Sequence, residues 1–254
     1  MESSKVKFLK IGIIVSVVAA LLLNVSFGKN NITKQQIRDK FFIDITQMQS
    51  KQELPVEMFQ QYQSIQFQQS TEEEISKTLS ILPDALEKYP SNILKNTLGN
   101  ITLFKTLIVD SIGFAGTYGN QQIFISTLNP EYVEATLHHE LSTLLILKYP
   151  FKQTDWINSS SSSIPYQLSF EPSSLDYTAI TNETLFQEGY LSHYSTQDPE
   201  NDLNMYAETI FSNPEGMSQL VATYPKIKER YQIVKAFYLS IDTGFKPVFD
   251  RIDQ

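Results

Sequence analysis

The sequence predicts an α+β domain, mostly helical, with a small sheet next to one central helix. Two short runs rich in Ile, Leu, Val and Phe, residues 103–110 and 121–127, are typical of strands, and a turn with three glycines separates them. Directly after the second run, Asn129-Pro130-Glu131 supplies a cap, a proline at the first helical position and an acid in the first turn. Lys148-Tyr149-Pro150 closes this helix, which carries His139 in its middle.

Helical periodicity accounts for most of the remaining chain. From residue 30 to about residue 89 apolar residues recur at helix spacing, and Ser70 to Glu74 place capping and acidic residues ahead of a further helix. The Gln-rich stretch 47–69 is polar and predicts a linker or a surface helix. A short helix capped by Asp202 should run to about Phe211, and a long one should begin near Pro225. The serine run 159–163 predicts an exposed loop.

The composition of the first 28 residues predicts that they are not part of the folded domain. Lys5, Lys7 and Lys10 precede an apolar run over residues 11–23, and small residues follow at 26–28. This pattern is typical of a secretory signal, and an uncleaved N-terminal anchor is the alternative because the apolar run can be extended to Phe27. Either case predicts export to the periplasm, the cell envelope or the extracellular space, with residues 29–254 as a single domain.

Composition excludes several classes of site and partner. The chain has 254 residues with 41% hydrophobic content, enough for one domain with its own core. It has no cysteine, so disulfides and thiolate metal sites are excluded. The formal net charge is −8, which argues against nucleic acid as a partner and leaves the membrane as a partner only through the possible N-terminal anchor.

The central helix contains half of a zinc-hydrolase motif. His139-Glu140 matches the start of HExxH, in which two histidines one turn apart bind zinc and the glutamate activates water, but Thr143 stands in the second histidine position. His139 is therefore either a metal ligand, a buried histidine bonded to a carboxylate, or part of a surface pair. His138 should be packed or solvent-facing, on the side of Ser142.

A second cluster of polar residues lies closer to the C-terminus. His193 and Tyr194 precede the helix that Asp202 caps, on which Asn204 and Glu208 lie four residues apart and share a face. That face either meets the helix of His139 or is a polar surface in water.

At these residues the chain resembles the zinc-binding metallopeptidases of the gluzincin type, including exported zinc metallohydrolases associated with substrate import in Bacteroidetes-like bacteria. The resemblance covers about two thirds of the mature chain, from about residue 75 onward. It implies a zincin-like fold, zinc as the cofactor, and a peptide or protein as substrate or ligand. The segments that carry it are residues 85–90, 119–125, 138–145, 189–194, 201–202 and 206–208.

Residue by residue, the resemblance implies a first zinc ligand at His139 and a general base at Glu140. Its second ligand falls on Thr143, its third falls on Asn204, and Glu208 is a supporting acid. A hydroxyl and a neutral amide are poor replacements for imidazole and carboxylate. A rearranged site would take His139, Glu208 and a further donor, His193 first and otherwise Asp202 or His138, with Tyr194 donating to the oxyanion.

Two leading hypotheses for function remain open. One is an exported zinc peptidase with the rearranged ligand set, in which Glu140 is the base. The other is a non-catalytic pseudopeptidase that acts as a binding module in the cell envelope. A purely structural role in envelope assembly is a third hypothesis, and the sequence carries no specific mark of it.

Overall fold

Two sheets and a set of helices make up the computed structural model, which describes residues 32–159, 163–167 and 180–254. The strands are β1 Asp44–Gln47, β2 Ile65–Gln68, β3 Asn100–Phe104, β4 Thr106–Val109, β5 Ile112–Phe114, β6 Gly116–Gly119 and β7 Gln122–Ser126. The helices are α1 Lys34–Phe41, α2 Val56–Gln61, α3 Glu72–Leu86, α4 Ser91–Thr97, α5 Val133–Lys148, α6 Gln153–Ser159, α7 Asn182–Gln187, α8 Pro199–Ser212, α9 Pro214–Thr223, α10 Pro225–Ile241 and α11 Lys246–Asp250. The class is α+β and mostly helical, as the sequence predicts.

The main sheet has four strands in the order β1-β3-β7-β6. β1, β3 and β7 are parallel, whereas β6 runs antiparallel to β7 and forms one edge. Ile101 and Leu103 pair with Ile123 and Ile125, and all four side chains are buried. A strand buried on its faces reads as a continuous apolar run, which is why β3 and β7 are evident from sequence.

A smaller antiparallel sheet, β2-β4-β5, lies over a separate apolar cluster. Its fully buried members include Met48, Phe104 and Phe124, so residues of β3 and β7 contribute to it from the main sheet. Helix α2 and strand β2 lie in the Gln-rich stretch, which is therefore not only a linker or a surface helix.

Helix α5 lies between the main sheet and α8 and is buried along most of its length. Leu137, Leu141 and Leu145 are fully buried, and so are residues on its other sides, including His138 and Ser142. A helix enclosed on all sides needs little amphipathic patterning. Its position beside the sheet follows the sequence prediction.

The helix starts reflect capping chemistry. α3 opens with a capping box in which Thr71 accepts from the Glu74 amide and the Glu74 carboxylate accepts from the Thr71 amide at 2.7 Å. α8 begins at Pro199 with Asp198 as its cap, whose carboxylate accepts from the Asn201 amide at 2.8 Å. The prediction that Asp202 caps this helix was wrong by one turn, because Asp198-Pro199 is the stronger start signal.

Two further predictions differ from the structure. The glycine-containing segment between the two predicted strands forms β5 and β6 and not only a turn. The supposedly helical region 30–89 contains β1 and β2, whose pairing partners lie far along the chain.

The proposed signal, residues 1–28, and most of the serine run, residues 160–162, lie outside the described residues. Within the described ranges, no helix combines the length and the apolar character needed to cross a bilayer.

Candidate functional site

The site is built where α5 packs along α8. His139 from α5 and Glu208 from α8 form an ion pair, with 3.3 Å between Nδ1 and Oε2. Both side chains are partly buried. The structure thus brings together two of the residues that the sequence singles out, from positions 69 apart in the chain.

The charge state of His139 depends on its acidic neighbours. Burial alone would lower the pKa of His139, because it disfavours the cation. The hydrogen bond to Glu208 and the nearby Glu140 carboxylate outweigh burial and raise the pKa above its ordinary value. The imidazole is therefore held towards its protonated form.

Glu140 lies deeper, with 8% of its surface exposed. Among the residues that the structure describes, its carboxylate has no hydrogen-bond or ion-pair partner. It abuts strand β6, since a Cβ built on Gly116 would lie 2.9 Å from Glu140 Oε1. Burial raises the pKa of Glu140 to about 7; His139 opposes this rise, and the carboxylates of Glu200 and Glu208 add to it.

The two positions that the resemblance assigns to further zinc ligands lie side by side. Asn204 donates from Nδ2 to Thr143 Oγ at 2.7 Å. Thr143 in turn donates to Glu200 Oε1 at 3.2 Å. Asn204 is 2% exposed and its carboxamide oxygen has no partner in the described part of the chain. A chain of hydrogen bonds thus links α5 and α8 at this level.

Two tyrosines flank these acids. The Tyr194 ring lies 5.7 Å from the His139 ring, measured between centroids, and Tyr194 is 44% exposed. Burial raises the pKa of Tyr194, and so does the charge on Glu140. Tyr118 projects from β6, and burial together with the nearby Glu200 raises its pKa to about 12. Both phenols therefore stay protonated and able to donate.

Of the three further predicted donors, two have partners of their own. Within the described ranges, no hydrogen bond or ion pair joins the His193 side chain to His139 or Glu208. Asp202 is fully buried against Arg230 at 2.6 Å. His138 is fully buried on the opposite side of α5, with Nδ1 2.9 Å from the Tyr89 hydroxyl. Asp202 and His138 thus have other partners, because neighbouring positions on a helix point in different directions.

Sequence reasoning missed Glu200, Tyr118 and Gly116. Glu200 precedes Asn204 by four residues and Glu208 by eight, so the helical repeat could have placed all three on one face. Tyr118 and Gly116 were hidden in a segment whose glycines suggested a turn. Both residues belong to the site because β6 is an edge strand beside α5. That position depends on pairing between strands and cannot be read from a local pattern.

The residues at the implied ligand positions do not fit a zinc ion. Zinc in proteins is held by imidazole, thiolate or carboxylate, whereas here the hydroxyl of Thr143 and the amide of Asn204 bond to each other. In residues 32–159, 163–167 and 180–254, no group of three or more His, Asp or Glu side chains is arranged to hold a metal ion.

The fold built from the main sheet, the adjoining helix α5 and helix α8 is similar to that of a solved structure. A solved structure from Bacteroides caccae, described as a "putative zinc-binding metallo-peptidase", matches the chain with a TM-score of 0.54. The match covers 86% of this chain and 88% of that one at 14% sequence identity, so the likeness is one of fold. No family model matches the chain. No curated protein matches it either.

Proposed function

We propose that this protein is an exported, non-catalytic relative of the gluzincin-type, zincin-like metallopeptidases and that it binds an extended peptide or protein segment. The observation that carries the proposal is the 2.7 Å hydrogen bond between Asn204 and Thr143. These are the two positions where a gluzincin would supply its second and third zinc ligands. Here they are occupied by uncharged groups that bond to each other.

In a zinc site, the metal ion would join the helices that carry these two positions. Here a direct hydrogen bond joins them. The Thr143 hydroxyl bridges Asn204 and Glu200, so α5 and α8 are joined by side chains alone. Because the hydrogen bond between Asn204 and Thr143 is buried, breaking it to admit a cation would leave polar groups unpaired at a cost of about 1–3 kcal/mol.

Peptide binding is supported by the position of β6. It is an edge strand of the main sheet, beside the face of α5 that bears Thr136 and Glu140. An extended segment can add to such an edge through main-chain hydrogen bonds, while neighbouring side chains select its residues.

Metal analysis tests the proposal. The protein and the double variant Thr143→His/Asn204→Glu would be stripped with chelator, given zinc, desalted and measured by atomic emission. We expect no stoichiometric zinc on the unaltered protein and about one zinc per chain on the double variant, which regains an imidazole and a carboxylate beside His139. Binding of about one zinc per unaltered chain would overturn the proposal that the protein is non-catalytic.

A zinc peptidase with a rearranged ligand set is the second candidate, and the 3.3 Å pair of His139 and Glu208 favours it. It needs a third donor, for which His193 would have to approach, with Glu140 as base and Tyr194 as oxyanion donor. Peptide cleavage that requires both zinc and Glu140 would establish it. Cleavage that survives Glu140→Gln would remove it.

Export rests on residues 1–28 and is part of the same proposal. Mass spectrometry of the protein recovered from cell fractions should find it outside the cytoplasm, either lacking the first 28 residues or retaining them with the membrane. Recovery of the full chain from the cytoplasm would contradict this part.

A further inference from the structure

We propose that the site at the junction of β6 with α5 recognises a cationic group of its peptide, the ammonium of a lysine or the guanidinium of an arginine, held by Glu140. This inference rests on the proposed peptide binding and names the kind of side chain that the site selects. It is carried by the unpartnered state of Glu140 and by the charges around it.

Glu140 is the acid of the site that lacks a partner. It is 8% exposed and, within the described residues, its carboxylate accepts no hydrogen bond and forms no direct ion pair. Glu208 is paired with His139, and Glu200 accepts from Thr143. A carboxylate that is buried without hydrogen bonds or a counter-charge is unfavourable. A ligand that supplies both relieves that cost, and this relief contributes to binding.

The surroundings favour a cation over an anion. Glu200, Glu208 and Asp198 lie within electrostatic reach of Glu140 or of the tyrosines that flank it. Among the described residues, His139 is the basic group whose charge acts on Glu140, and it is already paired with Glu208. An anionic or neutral peptide side chain would therefore meet repulsion or leave Glu140 unpaired, whereas a cation would meet an excess of negative charge.

Aromatic side chains complete the site. Tyr118 from β6 and Tyr194 both lie close enough to Glu140 for its charge to raise their pKa values. Tyrosine rings attract ammonium and guanidinium groups. The long apolar stem of lysine or arginine can pack against such rings while its charged end meets a carboxylate.

The experiment compares blocked seven-residue peptides, N-acetylated and C-amidated, that differ only at the central position. Lysine, arginine and norleucine are compared, because norleucine keeps the stem of lysine and removes its charge. We expect the lysine and arginine peptides to bind the unaltered protein at least tenfold more tightly than the norleucine peptide, as measured by calorimetry. Glu140→Gln should bring the ratio close to one, while Glu215→Gln, the same charge change on exposed α9, should leave it unchanged.

Each outcome decides between the two proposals. Equal binding of lysine and norleucine peptides overturns the cation site and leaves peptide binding standing. If no peptide binds, both the proposed function and this inference are overturned.

A norleucine peptide with a free N-terminal amine that binds as tightly as the lysine peptide supports recognition of an ammonium group, supplied here by the chain terminus. Tight binding of zinc alone at Glu140, lost in Glu140→Gln, identifies a metal as the cation and overturns the inference. The peptide comparison on the unaltered chain does not depend on any variant folding.

Discussion

At the scale of single residues, the two adjacent histidines of α5 occupy opposite environments. His139 faces the acids of the site, whose charges raise its pKa over the opposing effect of burial. His138 is enclosed between Tyr89 and Phe211, with the Glu134 carboxylate 3.5 Å from Nε2. Burial lowers the pKa of His138 despite that carboxylate. One residue along the helix thus reverses the preferred charge of the imidazole.

His138→Gln should change how stability depends on pH. A histidine whose folded pKa is lowered binds its proton more readily in the unfolded chain, so its stabilising effect is full above the unfolded value of about 6.5 and is lost as pH falls. We expect the free energy of unfolding of the unaltered protein to fall more steeply from pH 7 to pH 5 than that of His138→Gln. Urea titrations at each pH measure both curves, and parallel curves would contradict the assignment.

The sequence predicts part of this site and not the rest. His139, Glu140 and Glu208 are marked by a recognisable pattern and by helical spacing. The rotation of α5 against α8 determines two features: Thr143 bonds to Asn204, and Glu140 lacks a hydrogen-bond partner among the described residues. These two helices are distant in sequence. That rotation is set by core packing, which no local pattern specifies.

At the scale of elements, the junction of β6 with α5 depends on Gly116. A Cβ at this position would lie 2.5 Å from Thr136 Cγ2, 2.9 Å from Glu140 Oε1 and 3.0 Å from the Phe124 carbonyl oxygen. Such distances are too short for real contacts, so the strand can approach the helix only because position 116 has no side chain.

Gly116→Ala should therefore separate the strand from the helix. We expect a loss of about 1–3 kcal/mol in unfolding free energy from overpacking, together with weaker binding at the site because Glu140 must shift. Gly113→Ala is the matched control, since a Cβ at Gly113 on β5 meets nothing within 4 Å. Denaturant unfolding of both variants tests this. Equal stabilities would show that α5 can move aside without cost.

The helices that the sequence predicted correctly are those whose first residues carry a local signal, such as a proline or a capping box. α5 and α10 begin at a proline that the sequence displays, either directly or after a short turn, and α3 begins at a capping box. β5 and β6 were missed because Gly113, Gly116 and Gly119 suggest a turn, yet the glycine at 116 is required by the close approach of α5 to β6. β1 was missed because its apolar residues continue the periodicity of α1.

At the scale of the whole molecule, a buried ion pair joins α8 to α10. Arg230 and Asp202 are both fully buried, with 2.6 Å between Nη1 and Oδ2, and Arg230 also donates to the Gly189 carbonyl at 2.9 Å. The guanidinium lies between the rings of Trp156 and Tyr190, at 4.9 and 5.0 Å from their centroids. This pair fixes the helix that carries Asn204 and Glu208.

Arg230→Met should be strongly destabilising, by about 3–5 kcal/mol, because it leaves Asp202 fully buried without its counter-charge. The double variant Arg230→Met/Asp202→Leu should recover most of that loss, since a buried pair can be exchanged for apolar side chains at little net cost. Urea unfolding of the single and double variants measures the difference. A single variant as stable as the unaltered protein would contradict the importance of the pair.

The parallel pairing of β1 with β3 has a consequence for how the chain comes to be folded. Thr46 and Thr102 lie next to each other in the sheet but 56 residues apart in the chain. Contacts of this kind form slowly, because the intervening loop must close before the pairing contributes stability. A ribosome adding about 5–20 residues per second needs several seconds between these strands. During that interval β1, which pairs with β3 at the edge of the main sheet, has no strand to pair with.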